Sequence, residues 1–321
     1  MAFFRNLASM MALALGLCAA HADSFPDKPV TIVVPYAAGG FTDQLARLLA
    51  PELSTRWHQP VVVENRNGGG TTIGTAYVAR APGDGYTLLL TGFGYTANPL
   101  LMKSLPYDPK ALVPVTIMSD APAVLYVANK LPVNNMKEFA AYMRAHPGTV
   151  FASSGNGSSP HINAEMLAAM LGTTITHVPY RGNAPALVDL MGGQVDAMLD
   201  SPGSLSYVQA GKMKVMGVAT ALPITRAPEV PPIARSGVPE LAHYAGGGWF
   251  GFFLPAKTPA TLQQRIYTDL RAAMDTPAVR EGIVKVGGEP RLQTQAEFAA
   301  YLKAETDRWA PVIRERDIHL D

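Results

Sequence analysis

The sequence predicts an α/β fold with two lobes, and three observations support that prediction. Short β-branched segments alternate with segments of helical periodicity along most of the chain, a pattern typical of α/β layers. A β-branched segment that ends in Val-Pro-Tyr and then turns through glycine occurs twice, at residues 31–40 and 176–182. The length of 321 residues, with 48% hydrophobic side chains, is sufficient for two hydrophobic cores.

The first module begins with strand and helix patterns in strict alternation. Its predicted strands are 30–34, 61–64 and 86–90, and its predicted helices are 42–57 and a second helix that ends near Arg80. A glycine-rich turn at 65–74 leads into that second helix. The second module repeats this alternation. Its predicted strands are 124–127, 150–152, 175–178, 195–199 and 215–219, and its predicted helices are 137–145, one that ends at Leu171, and 185–191.

The last part of the chain predicts how the two modules are joined. A strand pattern returns at 249–254, followed by amphipathic helices at 261–275 and 297–314. If these helices pack on the first module, the backbone crosses between the lobes twice and forms a stiff double-crossover hinge. We therefore expect lobe I to comprise 23–124 plus 247–321, and lobe II to comprise 125–246.

Residues 1–22 have the pattern of a secretory signal peptide. Arg5 supplies the positive start, the following stretch is apolar, and Ala20-His21-Ala22 fits a cleavage site. We expect cleavage after Ala22 and a periplasmic location. The stretch is too short to span a bilayer as a stable anchor, although a buried N-terminal helix is an alternative. Lipid attachment at Cys18 is disfavoured, because the large Leu17 precedes it.

The composition of the mature chain excludes several classes of function. Cys18 is the single cysteine, so cleavage leaves neither disulfides nor thiolate metal sites. Removal of Arg5 balances basic against acidic residues at 25 each, and we expect no nucleic-acid partner because no positive field remains. Beyond residue 22 no run approaches the roughly 18 apolar residues of a transmembrane helix.

Motifs for catalysis and for cofactor binding fail on spacing. Gly68, Gly70 and Gly74 miss the G-x-G-x-x-G frame, and neither H-E-x-x-H nor G-x-S-x-G occurs. The histidines are scattered, so a metal site would need distant convergence. We expect no cofactor, no metal and no enzymatic activity. His161 is the exception, because it follows a glycine loop and has two interpretations, as a ligand contact or as a partner of the loop.

Five polar or glycine-rich loops follow predicted strands, at the sheet edge where α/β proteins bind ligands. Glycines let backbone amides approach a ligand, and amides at a helix N-terminus favour a carboxylate. Each residue also has a structural alternative as a turn, a helix cap or a solvated side chain; whether Phe93 and Tyr95 stack on a ligand or pack internally is left open. The candidate ligand-binding residues are Tyr36, Ala38, Gly39, Gly40, Thr42, Asp43, Phe93, Tyr95, Ser154, Gly155, Asn156, Gly157, Ser158, His161, Tyr180, Arg181, Gly182 and Asp200.

Motifs along the whole mature chain resemble those of one receptor family. The matching stretches are 25–40 with Asp43 and Arg47, 61–66, 84–88, 107–108, 154–158 with His161, 177–182, 193–196, Trp249 and Trp309. In this order they resemble the extracytoplasmic solute receptors of tripartite tricarboxylate transporters, the TctC-like or Bug proteins.

The resemblance implies a fold, a ligand class and a partner. It implies a type II periplasmic-binding-protein fold whose lobes close over one small acid: a dicarboxylate or tricarboxylate, an acidic amino acid or an aromatic carboxylate. The partner would be a permease of integral-membrane subunits that receives the acid. The resemblance also implies that loops 36–43 and 180–182 hold the carboxylate. Our own hypothesis is that Asp200 or Arg181 selects its distal end. Two alternatives stay open: a sensor for a membrane signalling kinase, and a secreted hydrolase or lyase that uses His161 and Asp200.

Overall fold

In a computed structural model, residues 25–320 form two sheets flanked by helices. The predicted signal peptide at 1–22, with Cys18 and the cleavage site, lies outside the described residues. The strands are β1 (Val30–Val34), β2 (Val61–Asn65), β3 (Thr87–Gly92), β4 (Leu112–Ala121), β5 (Val124–Ala128), β6 (Thr149–Ser153), β7 (Ile175–Pro179), β8 (Ala197–Asp200), β9 (Met213–Val218), β10 (Gly248–Pro255) and β11 (Glu289–Pro290). The α-helices are α1 (Phe41–Trp57), α2 (Thr72–Arg80), α3 (Gly94–Leu101), α4 (Met136–Ala145), α5 (Ser159–Met170), α6 (Asn183–Met191), α7 (Leu205–Gln209), α8 (Ala260–Met274), α9 (Pro277–Lys285) and α10 (Gln295–Glu315).

Each lobe is built on one mixed sheet. The first sheet has the order β11-β4-β10-β3-β1-β2, in which β1 pairs in parallel with β2 and β3, and β10 runs antiparallel between β3 and β4. The second has the order β7-β6-β8-β5-β9, with β5 antiparallel to both of its neighbours. The β1–α1 and β6–α5 loops leave parallel strands at their carboxyl ends, so both open at the ligand-binding edge of their sheets.

Strand β4 departs from the sequence expectations, which placed no strand between residues 91 and 123. Pro114 argues against a central strand, because proline cannot donate a ladder hydrogen bond. The structure accommodates Pro114 beside a register shift in the pairing of β4 with β10, where Phe253 lies opposite it. The rest of the strand is largely buried and lies between β10 and β11. Because of Pro114 and the register shift beside it, the sequence pattern does not predict this central strand.

Helix α10 packs against both halves of the molecule. Its N-terminus is fixed by a capping box between Thr294 and Glu297. Phe298 belongs to the apolar cluster of the first sheet, whereas Trp309 and Ile313 belong to a cluster that includes the second sheet. Helix α10 thus packs on the first sheet and also connects the two lobes.

The chain crosses between the sheets twice, between β4 and β5 and again just before β10. Gly247 in the second crossing has φ +98°, and a Cβ there would lie 2.9 Å from the carbonyl oxygen of Ala121. The Gly247 amide donates to Oδ1 of Asn163 at 3.1 Å, and its carbonyl accepts from the Ser159 hydroxyl at 2.9 Å. The second crossing is thereby tied to helix α5.

A separate contact joins the lobes away from the hinge strands. The carboxylate of Glu289 in β11 accepts hydrogen bonds from the amide of Thr225 at 2.6 Å and from its hydroxyl at 2.7 Å. Nearby, the Arg226 guanidinium donates to the carbonyl of Lys285 at 3.2 Å.

Within residues 25–320, no helix combines the length and apolarity that a membrane crossing requires.

Candidate ligand-binding site

A cavity of about 620 Å³ lies between the two lobes and is lined by both lobes and both hinge crossings. Its walls bring together seven of the residues proposed from the sequence with residues from remote parts of the chain. The seven are Tyr36, Phe93, Ser154, Asn156, Gly157, Ser158 and Asp200. The others include Phe41, Gln44, Gly70, Thr71, Asn98, Ser159, Asn183, Gly247, Phe250 and Leu320.

Four helices begin at this cavity. The first residues of α1, α3, α5 and α6, which are Phe41, Gly94, Ser159 and Asn183, all line it. The residue before each helix makes no capping hydrogen bond through its side chain. Helices α8 and α9 also lack such a cap, whereas α4 and α10, which begin elsewhere, have one. The first-turn amides, which have no acceptor within their helix, and the positive dipole ends therefore meet at the cavity.

One part of the lobe I wall is aromatic. The ring of Phe250 lies 5.9 Å from that of Tyr36 and 5.2 Å from that of Phe41, measured between centroids. Burial raises the pKa of Tyr36 to about 12, so its phenol is neutral at physiological pH. This cluster offers an apolar surface to a bound carbon skeleton.

A second part of that wall consists of small and amide residues. The side-chain amide of Asn98 donates to the carbonyl of Gly70 at 2.7 Å and to the Thr71 hydroxyl at 3.3 Å, which fixes the glycine-rich β2–α2 turn. Phe93 is only 7% exposed and packs edge-on against Trp309 at 5.6 Å. One side of Phe93 therefore belongs to the core.

The lobe II wall is the β6–α5 loop, and a pair of histidines supports it. The Ser158 hydroxyl donates to the carbonyl of Gly155 at 2.6 Å, and the Gly157 amide donates to Nδ1 of His161 at 3.1 Å. The imidazole of His161 stacks on that of His177 with centroids 3.6 Å apart. Burial lowers the pKa of His161 to about 3 and that of His177 to about 4, which keeps both rings neutral. His161 orients the loop and is not part of the cavity lining.

Asp200 contributes the one carboxylate among the described residues that line the cavity. It accepts hydrogen bonds from the side chains of Asn183 and Ser204, and burial raises its pKa. No lysine or arginine belongs to the lining in the described part of the chain. Attraction for an anion must therefore come from amides, hydroxyls and helix N-termini.

The loop at 37–43 reaches the cavity lining through Phe41, whereas its other residues lie outside the lining. Ala38, Gly39 and Gly40 are exposed, and the Gly39 amide donates to the Asp43 carboxylate at 2.8 Å. Asp43 also accepts from Nε of Arg47 at 2.9 Å. Asp43 thus organises the loop and the first turn of α1, while Thr42 beside it is buried.

Other residues proposed from the sequence also lie outside the lining. The ring of Tyr95 packs on Phe253 at 4.3 Å, and its hydroxyl donates to the carbonyl of Pro109 at 3.2 Å, so Tyr95 packs internally. Tyr180 donates to the Asp189 carboxylate, Arg181 is exposed, and Gly155 and Gly182 flank the lining without joining it.

Several lining residues were missing from the sequence predictions. Phe41 lies within the predicted loop 36–43 and Asn183 directly follows the predicted loop 180–182, so their positions in the sequence could have identified them. Phe250 and Leu320 reach the cavity only through tertiary packing, and no local pattern marks them.

Comparison with known proteins places the chain in a family. The model of the tripartite tricarboxylate transporter family receptor, TctC, matches residues 45–318. The chain belongs to this receptor family. The family's members are solute-binding receptors. The receptor is 35% identical over 302 residues to protein BugT of Bordetella pertussis, an alignment that covers 92% of this chain and 91% of BugT.

Two solved structures show the same architecture. Rpa4515 of R. palustris, determined with adipate, is 34% identical with a TM-score of 0.79, over 92% of this chain and 99% of that one. MatC of Rhodopseudomonas palustris, determined with bound malate, is 31% identical with a TM-score of 0.74, over 90% of this chain and 100% of that one. The predicted two-lobed periplasmic-binding-protein fold of the receptor is thus confirmed.

Proposed function

We propose that this receptor binds a small organic carboxylate between its lobes in the periplasm and delivers it to the integral-membrane permease of a tripartite transporter. The observation that carries the proposal is the convergence of four helix N-termini, at Phe41, Gly94, Ser159 and Asn183, on one cavity between the lobes. A helix N-terminus attracts an anion through its unpaired amides and its dipole. Similarity to the receptors that hold adipate and malate supports the same ligand class.

The chemistry of the walls supports a carboxylate held by neutral donors. The hydroxyls of Thr71 and Ser154 lie in the lining as donors, while those of Ser158 and Ser159 already donate to the carbonyls of Gly155 and Gly247. A carboxylate that accepts from such donors keeps its charge without a lysine or arginine partner, because each donor replaces a hydrogen bond to water. The rings of Tyr36 and Phe250 would pack on the carbon skeleton of the acid.

Closure of the lobes would bring further residues to the ligand. Ala38, Gly39, Gly40 and Thr42 adjoin Tyr36 and Phe41 in sequence, and residues 180–182 adjoin Asn183. We propose that these two loops join the carboxylate when the lobes close over it, with lobe I at 23–124 plus 247–321 and lobe II at 125–246. Such hinge closure excludes water and gives the permease a distinct conformation to recognise.

The same geometry argues against the hydrolase or lyase alternative. That alternative needs His161 and Asp200 to act together on a substrate. His161 is only 6% exposed, stacks on His177 and lies outside the cavity lining. Asp200 accepts hydrogen bonds from Asn183 and Ser204. We therefore propose binding without catalysis.

We also propose that the receptor is exported through a signal peptide cleaved after Ala22.

The proposal is tested by identifying and titrating the ligand. Mass spectrometry of the denatured, freshly purified receptor should detect an organic acid. Isothermal titration calorimetry with C4 to C8 dicarboxylates, malate, glutamate and nicotinate should then identify the acids that bind, and the matching diamide of a bound dicarboxylate should not bind. If neither the extract nor the titrations reveal an acid, the proposal is wrong.

A matched pair of variants locates the binding at the cavity. Ser154→Asp places a carboxylate in the lining, whereas Ser104→Asp makes the same change at an exposed position outside it. Two negative charges about 5 Å apart repel by about 3 kcal/mol at an effective dielectric constant of about 20, so Ser154→Asp should weaken binding roughly a hundredfold. Ser104→Asp should bind like the wild type. Equal affinities for both variants would place the ligand elsewhere.

A further inference from the structure

We propose that Leu320 is a specificity-determining residue that limits the length of the acid the cavity accepts. This inference rests on the proposed function. Leu320 follows helix α10, lines the cavity and is half-buried. It packs against the apolar cluster that includes Leu101 and Trp309.

The backbone after α10 brings Leu320 to this position. Asp317 has φ +50°, a left-handed conformation that ends the helix, and the Ile318 amide donates back to the carbonyl of Ile313 at 3.0 Å. Ile318 is buried in the core. The Leu320 amide then donates to the carbonyl of Leu101, the last residue of α3, at 3.0 Å. The segment is therefore fixed through backbone groups that a change of side chain at 320 leaves in place.

Leu320 lies between cavity loops of both lobes. A Cβ on Gly157 of the β6–α5 loop would lie 2.9 Å from a methyl carbon of Leu320, and a Cβ on Gly70 of the β2–α2 turn would lie 3.9 Å from the other. The close approach at Gly157 exists because that residue has no side chain. The isobutyl group therefore occupies the space between the two loops and forms an apolar limit to the cavity.

The position is also fixed on the lobe II side. The Arg316 guanidinium donates to the carbonyl of Thr173 at 2.8 Å, and Nε of Arg316 lies 3.7 Å from the Glu165 carboxylate. The segment 316–320 thus contacts lobe II through Arg316 and lobe I through Leu320. An apolar limit that is held by contacts with both lobes discriminates between acids by size, since one methylene in an apolar pocket changes affinity by roughly 10- to 200-fold.

Two substitutions at position 320 test the inference in opposite directions. Leu320→Ala should open space, so that longer acids gain affinity relative to shorter ones. Leu320→Phe should fill the cavity and shift the preference towards shorter acids. Leu222→Ala is the matched control, because Leu222 is 65% exposed and is not part of the cavity lining.

The measurement is the dissociation constant of each variant for dicarboxylates from C4 to C8, by titration calorimetry on the full-length mature receptor. We expect the affinity ratio of the longest to the best-bound acid to rise about tenfold in Leu320→Ala, to fall in Leu320→Phe, and to stay unchanged in Leu222→Ala. An identical order of affinities in the wild type and both Leu320 variants overturns this inference alone. A wild type that binds no acid in this series or in the wider panel overturns the proposed function and this inference together.

Discussion

Replacing Asp43 with alanine is expected to destabilise the receptor through the loop at 37–43. The side chain of Asp43 is 3% exposed, and its carboxylate accepts from the Gly39 amide at 2.8 Å and from Nε of Arg47 at 2.9 Å. It also lies in the first turn of α1, where a negative charge is favourable. The substitution removes all three interactions and leaves the Gly39 amide without its acceptor.

The magnitude follows from these contacts. A hydrogen bond to a charged group contributes about 1.5–3 kcal/mol, and the helix N-terminus adds about 0.3–1 kcal/mol. Arg47 is exposed, so solvent screening leaves its ion pair with little effect on stability. We therefore expect Asp43→Ala to lower the free energy of unfolding by about 2–4 kcal/mol at pH 7. Asp43→Asn, which keeps an acceptor oxygen for Gly39, should lose less.

Urea unfolding followed by circular dichroism measures this difference, and its dependence on pH identifies the charge. Arg47 and the Gly39 amide hold the pKa of Asp43 below its ordinary value of 3.8. Because the folded-state pKa is lowered, the stabilisation is present above pH 3.8 and disappears as the pH falls through the folded-state pKa. Asp275→Ala, at an exposed carboxylate paired with Arg280, is the control and should change little.

Two results would refute this reasoning. One is an Asp43→Ala variant whose unfolding free energy equals that of the wild type at pH 7. The other is a loss of stability that persists unchanged at pH 3. A variant that keeps its stability but loses ligand affinity would instead make Asp43 a ligand contact, as the sequence first suggested.

Three further predictions concern the supports of the cavity. Burial lowers the pKa of His161 to about 3 and that of His177 to about 4, against about 6.5 in the unfolded chain, so the free energy of unfolding should fall below pH 6.5 by up to about 1.4 kcal/mol per pH unit for each histidine. Urea midpoints measured from pH 7 to 4 should therefore depend less steeply on pH in His161→Phe than in the wild type. An equal pH dependence in the two proteins would contradict this prediction. Gly157 has φ +67° and lies against Leu320, so Gly157→Ala should lower the free energy of unfolding by about 1–3 kcal/mol. The double variant with Leu320→Ala should recover part of this loss. A Gly157→Ala variant whose thermal denaturation matches that of the wild type would disprove the strain. Glu289→Ala removes a contact between the lobes and should increase the radius of gyration of the ligand-free receptor in small-angle scattering, whereas unchanged scattering would show that the contact does not restrain the lobes.

Much of the fold could be predicted because its signals are local. The periodicity of residues 42–57 placed a helix where α1 occurs, with Leu45, Leu49 and Leu53 buried. The loops after β1 and β6 were recognisable because glycine and serine interrupt a β-branched pattern. Strand β4 was missed because Pro114 disrupts its pattern, and only its pairing with β10 across a register shift reveals it.

The candidate site, like the fold, was predictable where its residues carry a local signal. Ser154 and Ser158 lie in the loop after β6, and Asp200 is the last residue of β8, so a single sequence suffices to propose them. The two aromatic residues at 93 and 95 could not be separated by sequence, because their surroundings come from distant elements. Packing places Phe93 between the cavity and Trp309, and it places Tyr95 against Phe253.

The sequence by itself determined the alternation of strands and helices and the loops at the strand ends. It also showed that the residue spacings of the catalytic motifs we considered do not occur. Each of these features depends on residues near one another in the chain. The tertiary structure decided which helix N-termini meet at one cavity, that Asp43 serves its own loop, and that Leu320 reaches the cavity. These outcomes depend on how two sheets and a long C-terminal helix pack together. Such packing depends on contacts between residues far apart in sequence, which no local pattern encodes.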